Sequence, residues 1–281
     1  MKSDAASLTR QRNIGLQLVE APIVMFPDDD SMWHRGFASN VLKVYEADVR
    51  RQVGGVSGLP VAEPPPELEQ PLYKKSALGS VKAAIQPYRG LFEKHYFPKP
   101  LDLIGLATWT ENIDVVDDIN SRRVPHITGF RMSFRTDVIR QVGFDETLGY
   151  GAGYSYHEDF DASLGIERLG YALVSAERAK VCHYLFPGKR AGGYSYGFCS
   201  IANSVYVSKK HIGQDTHIYR DLDRYLKYKV SLYASRFYSN HGREVFLGAF
   251  DAWRNRSKLL EADDAGLSAA YKALCDQYIK K

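Results

Sequence analysis

The sequence is short of cysteine, of charge imbalance and of long apolar runs, and each shortage removes a class of protein. Its three cysteines among 281 residues, Cys182, Cys199 and Cys275, have neither the number nor the spacing of a disulfide framework or a zinc site. An odd count without a framework fits a reducing, cytoplasmic setting. No apolar run approaches the roughly 20 residues that a membrane-spanning helix needs. The first residues lack the basic-then-apolar order of a secretory signal. The formal net charge of +4 is too small for a dedicated nucleic-acid binder, so no nucleic-acid partner is expected. Internal repeats and low-complexity tracts are absent. The glycine-rich stretch GYGAGYS (149–155) is followed by no Lys-Ser/Thr, and no strand runs into it, so it reads as a flexible loop and not as a nucleotide fingerprint.

What is present is an ordinary globular balance, 44% hydrophobic and 25% charged, over a length that suits one large α/β domain or two small ones. The charge is unevenly placed. From Val205 to Lys281 there are 14 Lys and Arg against 9 Asp and Glu, while the rest of the chain nearly balances. Such a basic tail is compatible with peripheral contact to an anionic lipid surface at the inner face of a membrane. A packed C-terminal helix with a solvated face explains it equally and is the preferred reading.

Along the chain, 7–20 predicts a helix with Ser7 or Thr9 as its cap, broken at Ala21-Pro22. Ile23–Phe26 predicts a buried strand. Residues 36–50 predict a helix, and VGGVSG (53–58) a short strand whose glycines admit a close neighbour. Five of the twelve prolines fall within 60–71, which predicts an extended surface excursion. Residues 73–100 are basic and aromatic, with no clean period. ITGFRMSF (127–134) predicts a strand interrupted at Gly129, followed by helix, glycine-rich loop, helix, strand and a turn after His183. Beyond 215 the pattern is helical, with Leu222, Leu226, Val230, Tyr233 and Phe237 on one face.

Four features carry chemistry: Asp28, Asp29 and Asp30 directly after the first strand, Gly129 inside a strand, HEDFD at 157–161, and His183 after an apolar strand. Singly each has a plain structural explanation. An aspartate run is usually a solvated turn, acidic residues at a helix start favour the helix dipole, and a histidine after a strand is usually structural. Together they read differently. The far end of a strand in an open α/β sheet is where ligands bind. Carboxylates there suit Mg²⁺ or Mn²⁺ bridging a diphosphate, and a separate acidic pair, Glu158-Asp159, supplies a base. That is the equipment for displacing a nucleoside diphosphate from an activated sugar.

The stretches SLTRQRNIGL…IVMFPDDD, ITGFRMSFRTDVIRQVGFDETLGYGAGYSYHEDFDASLGIERLGYALV and KVCHY resemble the family 2 glycosyltransferases of the GT-A fold, over most of residues 7–190. The resemblance implies an α/β, Rossmann-like fold with a mixed central sheet, over 1–200, and a helical extension over 201–281. It implies metal-dependent, inverting transfer from a nucleotide-diphosphate sugar to a glycan or lipid-linked acceptor, as in cell-surface polysaccharide synthesis.

It also implies roles for individual residues. Asp28 and Asp30 match the outer positions of the DxD motif, with Asp30 as the direct metal ligand and Asp28 or Asp29 holding the ribose or the metal's waters. Asp159 matches the general base, supported by Glu158. Gly129 falls beside the transferred sugar, and His183 matches the histidine that ligates the metal or touches the diphosphate. Arg12 and Asn13 match a helix start beside the nucleotide. Two positions depart from the family. Its opening nucleobase-binding strand has no counterpart before the aspartate run, so the fold is expected to be N-terminally incomplete. Gly165 stands where an arginine is common, which bears on the acceptor side. A catalytically inactive remnant or binding module of the same fold is the alternative, and a nucleotide-sugar hydrolase or nucleotidyltransferase fits the motif order less well.

Overall fold

The computed structural model describes residues 7–67, 121–151, 156–184, 192–212 and 216–280. The proline-rich excursion beyond residue 67, the 73–100 segment and the turn after Tyr184 lie outside the described residues.

The chain is α/β. Helix α1 (Leu8–Leu18) starts where Ser7 Oγ accepts from the Arg10 N–H. It leads into β1 (Ile23–Phe26), β2 (Ser31–Trp33), α2 (Phe37–Ala47) and β3 (Val53–Val61). After β4 (Ser121–Arg123), a 3₁₀ turn (Gly129–Arg131) runs directly into β5 (Met132–Arg135) and α3 (Thr136–Val142). A second 3₁₀ turn (Glu146–Gly149) precedes α4 (Glu158–Arg168) and the long β6 (Ala172–His183). Helices α5 (Gly193–Ile212), α6 (Thr216–Ala234), α7 (Asn240–Arg254), α8 (Ser257–Leu260) and α9 (Leu267–Tyr278) complete it.

The sheet is mixed, in the order β1-β5-β3-β6-β2, with β4 also on β6. Among the described strands only β3 and β6 run parallel. One face is covered by α1, α3 and α4, whose Leu16, Val138, Ile139, Ala162 and Ile166 pack on Phe134 and Leu173. The other face is covered by α2 through Phe37, Val41, Val44 and Tyr45. The turn from α2 to β3 is clamped by buried Asp48, which accepts from the Gln52 and Val53 N–H groups and from Arg135 Nη2, all within 2.9 Å. The close neighbour of the β3 glycines is the core itself. A Cβ on Gly55 would come within 2.9 Å of Ile127, Leu173 and Phe134.

Three expectations are corrected. The strand expected over 127–134 begins only at Met132, because Gly129–Arg131 tightens into the 3₁₀ turn. A domain boundary at residue 200 would fall inside α5, which starts at Gly193. Leu148 and Leu164 from the sheet half share one core with α5, α6, α7 and α9, so the helical region is packed onto α4 and not appended to it. Of the expected α6 stripe, Leu222, Leu226, Val230 and Tyr233 are buried in that core, whereas Phe237 falls past the helix end, is 42% exposed and leans on Phe246. Among the described residues no helix is long and apolar enough to cross a membrane.

Candidate active site

The aspartate run sits on the link between β1 and β2, and sheet register sets its geometry. Ser31 of β2 lies opposite His183 of β6, and the Tyr184 N–H donates to the Asp30 carbonyl at 2.9 Å. This pairing brings His183 Nε2 within 2.9 Å of Asp30 Oδ1. The His183 ring is stacked on Phe130 with centroids 4.4 Å apart and planes 10° from parallel. The Phe130 carbonyl in turn accepts from Ser31 Oγ at 2.8 Å. Ligand atoms of Asp28, Asp30 and His183 all lie within 4.8 Å of one another. Two carboxylates and one imidazole at that spacing fit a hard divalent cation such as Mn²⁺ or Mg²⁺. Burial, reinforced by the neighbouring Asp30 and Asp29, pushes the Asp28 carboxyl above the usual range, against the pull of Arg12 and His183.

The acidic pair starts α4. His157, just before it, holds a left-handed backbone (φ 70°), a conformation that non-glycine residues adopt at a cost and that recurs at functional sites. Glu158 is buried, and Asp159 is half-buried and reachable. Asp159 Oδ2 accepts from the Gly129 N–H at 2.9 Å, and its Oδ1 accepts from the Phe160 N–H at 2.9 Å, so both oxygens are fixed by backbone. Burial and the adjacent Asp159 raise the Glu158 carboxyl to about 7, opposed by Arg12.

Arg12 joins the two groups. Its side chain is 8% exposed, with Nη1 donating to Glu158 Oε1 at 2.8 Å and Nη2 to Asp28 Oδ1 at 3.3 Å. Gly129 lies at the junction, where a Cβ would be 3.7–3.8 Å from Arg12, Glu158 and Asp159. Leu8, Gln11, Arg12 and Gly15, one face of α1, and Met25–Asp29 at the end of β1 line a cavity of about 470 Å³ beside the aspartates. This is within the usual range for small-molecule sites.

Eight of the nine residues singled out from the sequence, Arg12, Asp28, Asp29, Asp30, Gly129, Glu158, Asp159 and His183, are thus gathered around Arg12 and the cavity. Asp29 is exposed on the cavity wall. Asn13 is the exception. Its amide donates to the Phe144 carbonyl at 2.8 Å and accepts from the Phe144 N–H at 2.9 Å, so it anchors α1 to the loop after α3 and does not line the cavity. Sequence reading missed Ser31 and Phe130, which position His183. Their signal was only adjacency, Ser31 to the aspartates and Phe130 to Gly129.

Gly165 has a steric role. A Cβ there would fall on Val142 Cγ1, so the glycine lets α4 lie directly against the end of α3. No family model matches this chain, and no curated protein gives a significant match.

Proposed function

We propose that the chain is a metal-dependent, inverting glycosyltransferase of GT-A architecture. It would move a sugar from a nucleoside-diphosphate donor to a hydroxyl of a glycan or lipid-linked acceptor. The observation that carries this reading is the single connected constellation in which Asp28, Asp30 and His183 reach Glu158-Asp159 through Arg12, next to a cavity of nucleotide size. When bound, a divalent cation would offset the charge that develops on the leaving diphosphate.

The protein's own residues do the rest. The α1 face and Asp28-Asp29, which line the cavity, hold the nucleoside portion. Asp159, oriented by the Gly129 and Phe160 N–H groups, takes the proton from the attacking hydroxyl. Glu158 fixes Arg12, and Arg12 keeps the base and the aspartates in one frame. A single base on one side of the transferred sugar fits one displacement with inversion.

The test is release of nucleoside diphosphate from a panel of nucleotide sugars with Mn²⁺. Asp159→Asn should lower turnover by about 10²–10⁴-fold and leave the donor Kd within about twofold, since it removes a base and not a binding group. Unchanged turnover would remove the base assignment.

A second reading, a non-catalytic binding module, is favoured by one observation. Asp28 and Asp30 each already have a cationic or imidazole partner from the chain, Arg12 and His183. Such a protein would bind nucleotide without turnover, and the same assay separates the two.

A further inference from the structure

The sheet carries a polar row that the site described above does not use. Met132 of β5, Ser57 of β3, Ser175 of β6 and Arg122 of β4 stand directly opposite one another in register. The two serines are 1% exposed, and neither Oγ has a hydrogen-bond partner. Paired hydroxyls left unspent at the centre of a sheet are costly unless a ligand or water uses them.

Arg131, the last residue of the 3₁₀ turn and the neighbour of Met132, reaches back along this row. Its Nη1 donates to the Gly58 carbonyl at 2.8 Å and its Nη2 makes a long contact of 3.5 Å to Thr128 Oγ1, while its buried Nε donates to nothing. Among the described residues no carboxylate lies within ion-pair distance of Arg131. Arg122 is matched by Glu177, whose Oε1 is 2.6 Å from its Nε. Asp159 and Glu177 act on Arg131 only from further away, and Arg122 repels it. A half-buried guanidinium without an anion, bonded to the carbonyl of the residue that follows Ser57, is unfavourable in isolation. It is also two residues from Gly129, whose N–H holds the candidate base.

We propose that Arg131, with Ser57 and Ser175, forms a recognition subsite for an anionic oxygen group, a carboxylate or a phosphate, carried by the sugar substrate beside Asp159. The sugar in this statement rests on the transferase reading, whereas the anion does not. Arg131 is a specificity residue here, because a guanidinium with a free Nε and a second nitrogen is built for bidentate contact with a planar or tetrahedral oxyanion.

The experiment uses the full chain and three probes, glucuronate, glucose and inorganic phosphate, at millimolar concentration. Binding is read by ligand-observed NMR and thermal shift. Glucuronate or phosphate should bind and glucose should not. Arg131→Gln should weaken that binding by about tenfold or more, the value of a charge-assisted contact, and the Ser57→Ala/Ser175→Ala double variant should weaken it less. Preference for glucuronate would point to a carboxylated sugar, and preference for phosphate to a phosphorylated one. Failure of both anions to bind, or binding indifferent to Arg131→Gln, would overturn the subsite. Folding is controlled by the far-UV circular dichroism and cooperative melt of Arg131→Gln, which also loses the Nη1 bond to the Gly58 carbonyl. Nucleoside diphosphate binding with Mn²⁺ is measured on the same samples. Anion binding lost in Arg131→Gln but with no nucleotide binding would keep the subsite and sink the transferase. Nucleotide binding without anion binding would do the reverse.

Discussion

Arg12 touches Glu158 on one side and Asp28 on the other with its side chain almost wholly out of water. Removing Glu158's charge therefore has a readable consequence. Its folded carboxyl titrates at about 7 against an ordinary value of 4.5, so the folded state holds the proton more tightly than the unfolded chain does. The stabilisation this gives is complete below pH 4.5 and is lost as pH rises through 7. Urea titrations across that window should show the parent losing on the order of 2 kcal/mol more than Glu158→Gln, and parallel pH profiles would contradict the assignment. Gly15 gives a second test at this scale. A Cβ there meets nothing within 4 Å, yet the residue lines the cavity. Gly15→Ala should stabilise α1 by about 0.5–1 kcal/mol. Gly15→Phe should fold normally and weaken nucleotide binding tenfold or more, as read by calorimetry. Residue identities were the most legible part of the sequence, because carboxylates after a strand and at a helix start are unusual in combination. Arg12's bridging role was not, since nothing in a linear sequence shows that a guanidinium reaches a residue 146 positions away.

Elements place these residues, and their contacts decide how precisely. The sequence pattern of α1, β1 and α2 matched the observed elements within a few residues, because each has a clear apolar period or a strong breaker. The 127–134 stretch misled because alternation cannot distinguish a 3₁₀ turn leading into a strand from the strand itself. Here the turn is what aims Gly129 at Asp159 and Phe130 at His183. Gly165 stood out in the sequence only for replacing a common arginine, and the glycine has a packing reason, contact between α3 and α4. Gly165→Ala should therefore destabilise the protein by about 1–3 kcal/mol despite its better helix propensity. A Gly165→Ala/Val142→Ala variant should recover most of that in denaturant titrations, and an additive loss in the double variant would refute the contact.

At the scale of the whole molecule, the helical half is fastened to the site. Buried Asp161, two residues past the candidate base, accepts from Lys210 Nζ at 2.9 Å and pairs with His211 Nε2 at 2.8 Å, both on α5. Lys210 also reaches Asp145 at 2.9 Å, in a network that Tyr206 joins. The apolar stripe of α6 was legible from its spacing, but its destination was not, since the same stripe serves a membrane or a core, and packing against α5 and α7 uses it for the core. The measurement that most directly tests the central claim is the thermal stability of the full chain against a panel of nucleoside diphosphates, with and without Mn²⁺. A ligand that binds only the folded state at a hundredfold excess over its Kd adds about 2.7 kcal/mol. The account predicts a Mn²⁺-dependent rise in midpoint with one nucleobase class that is lost in Asp30→Ala, and an unchanged midpoint with every nucleotide would contradict it.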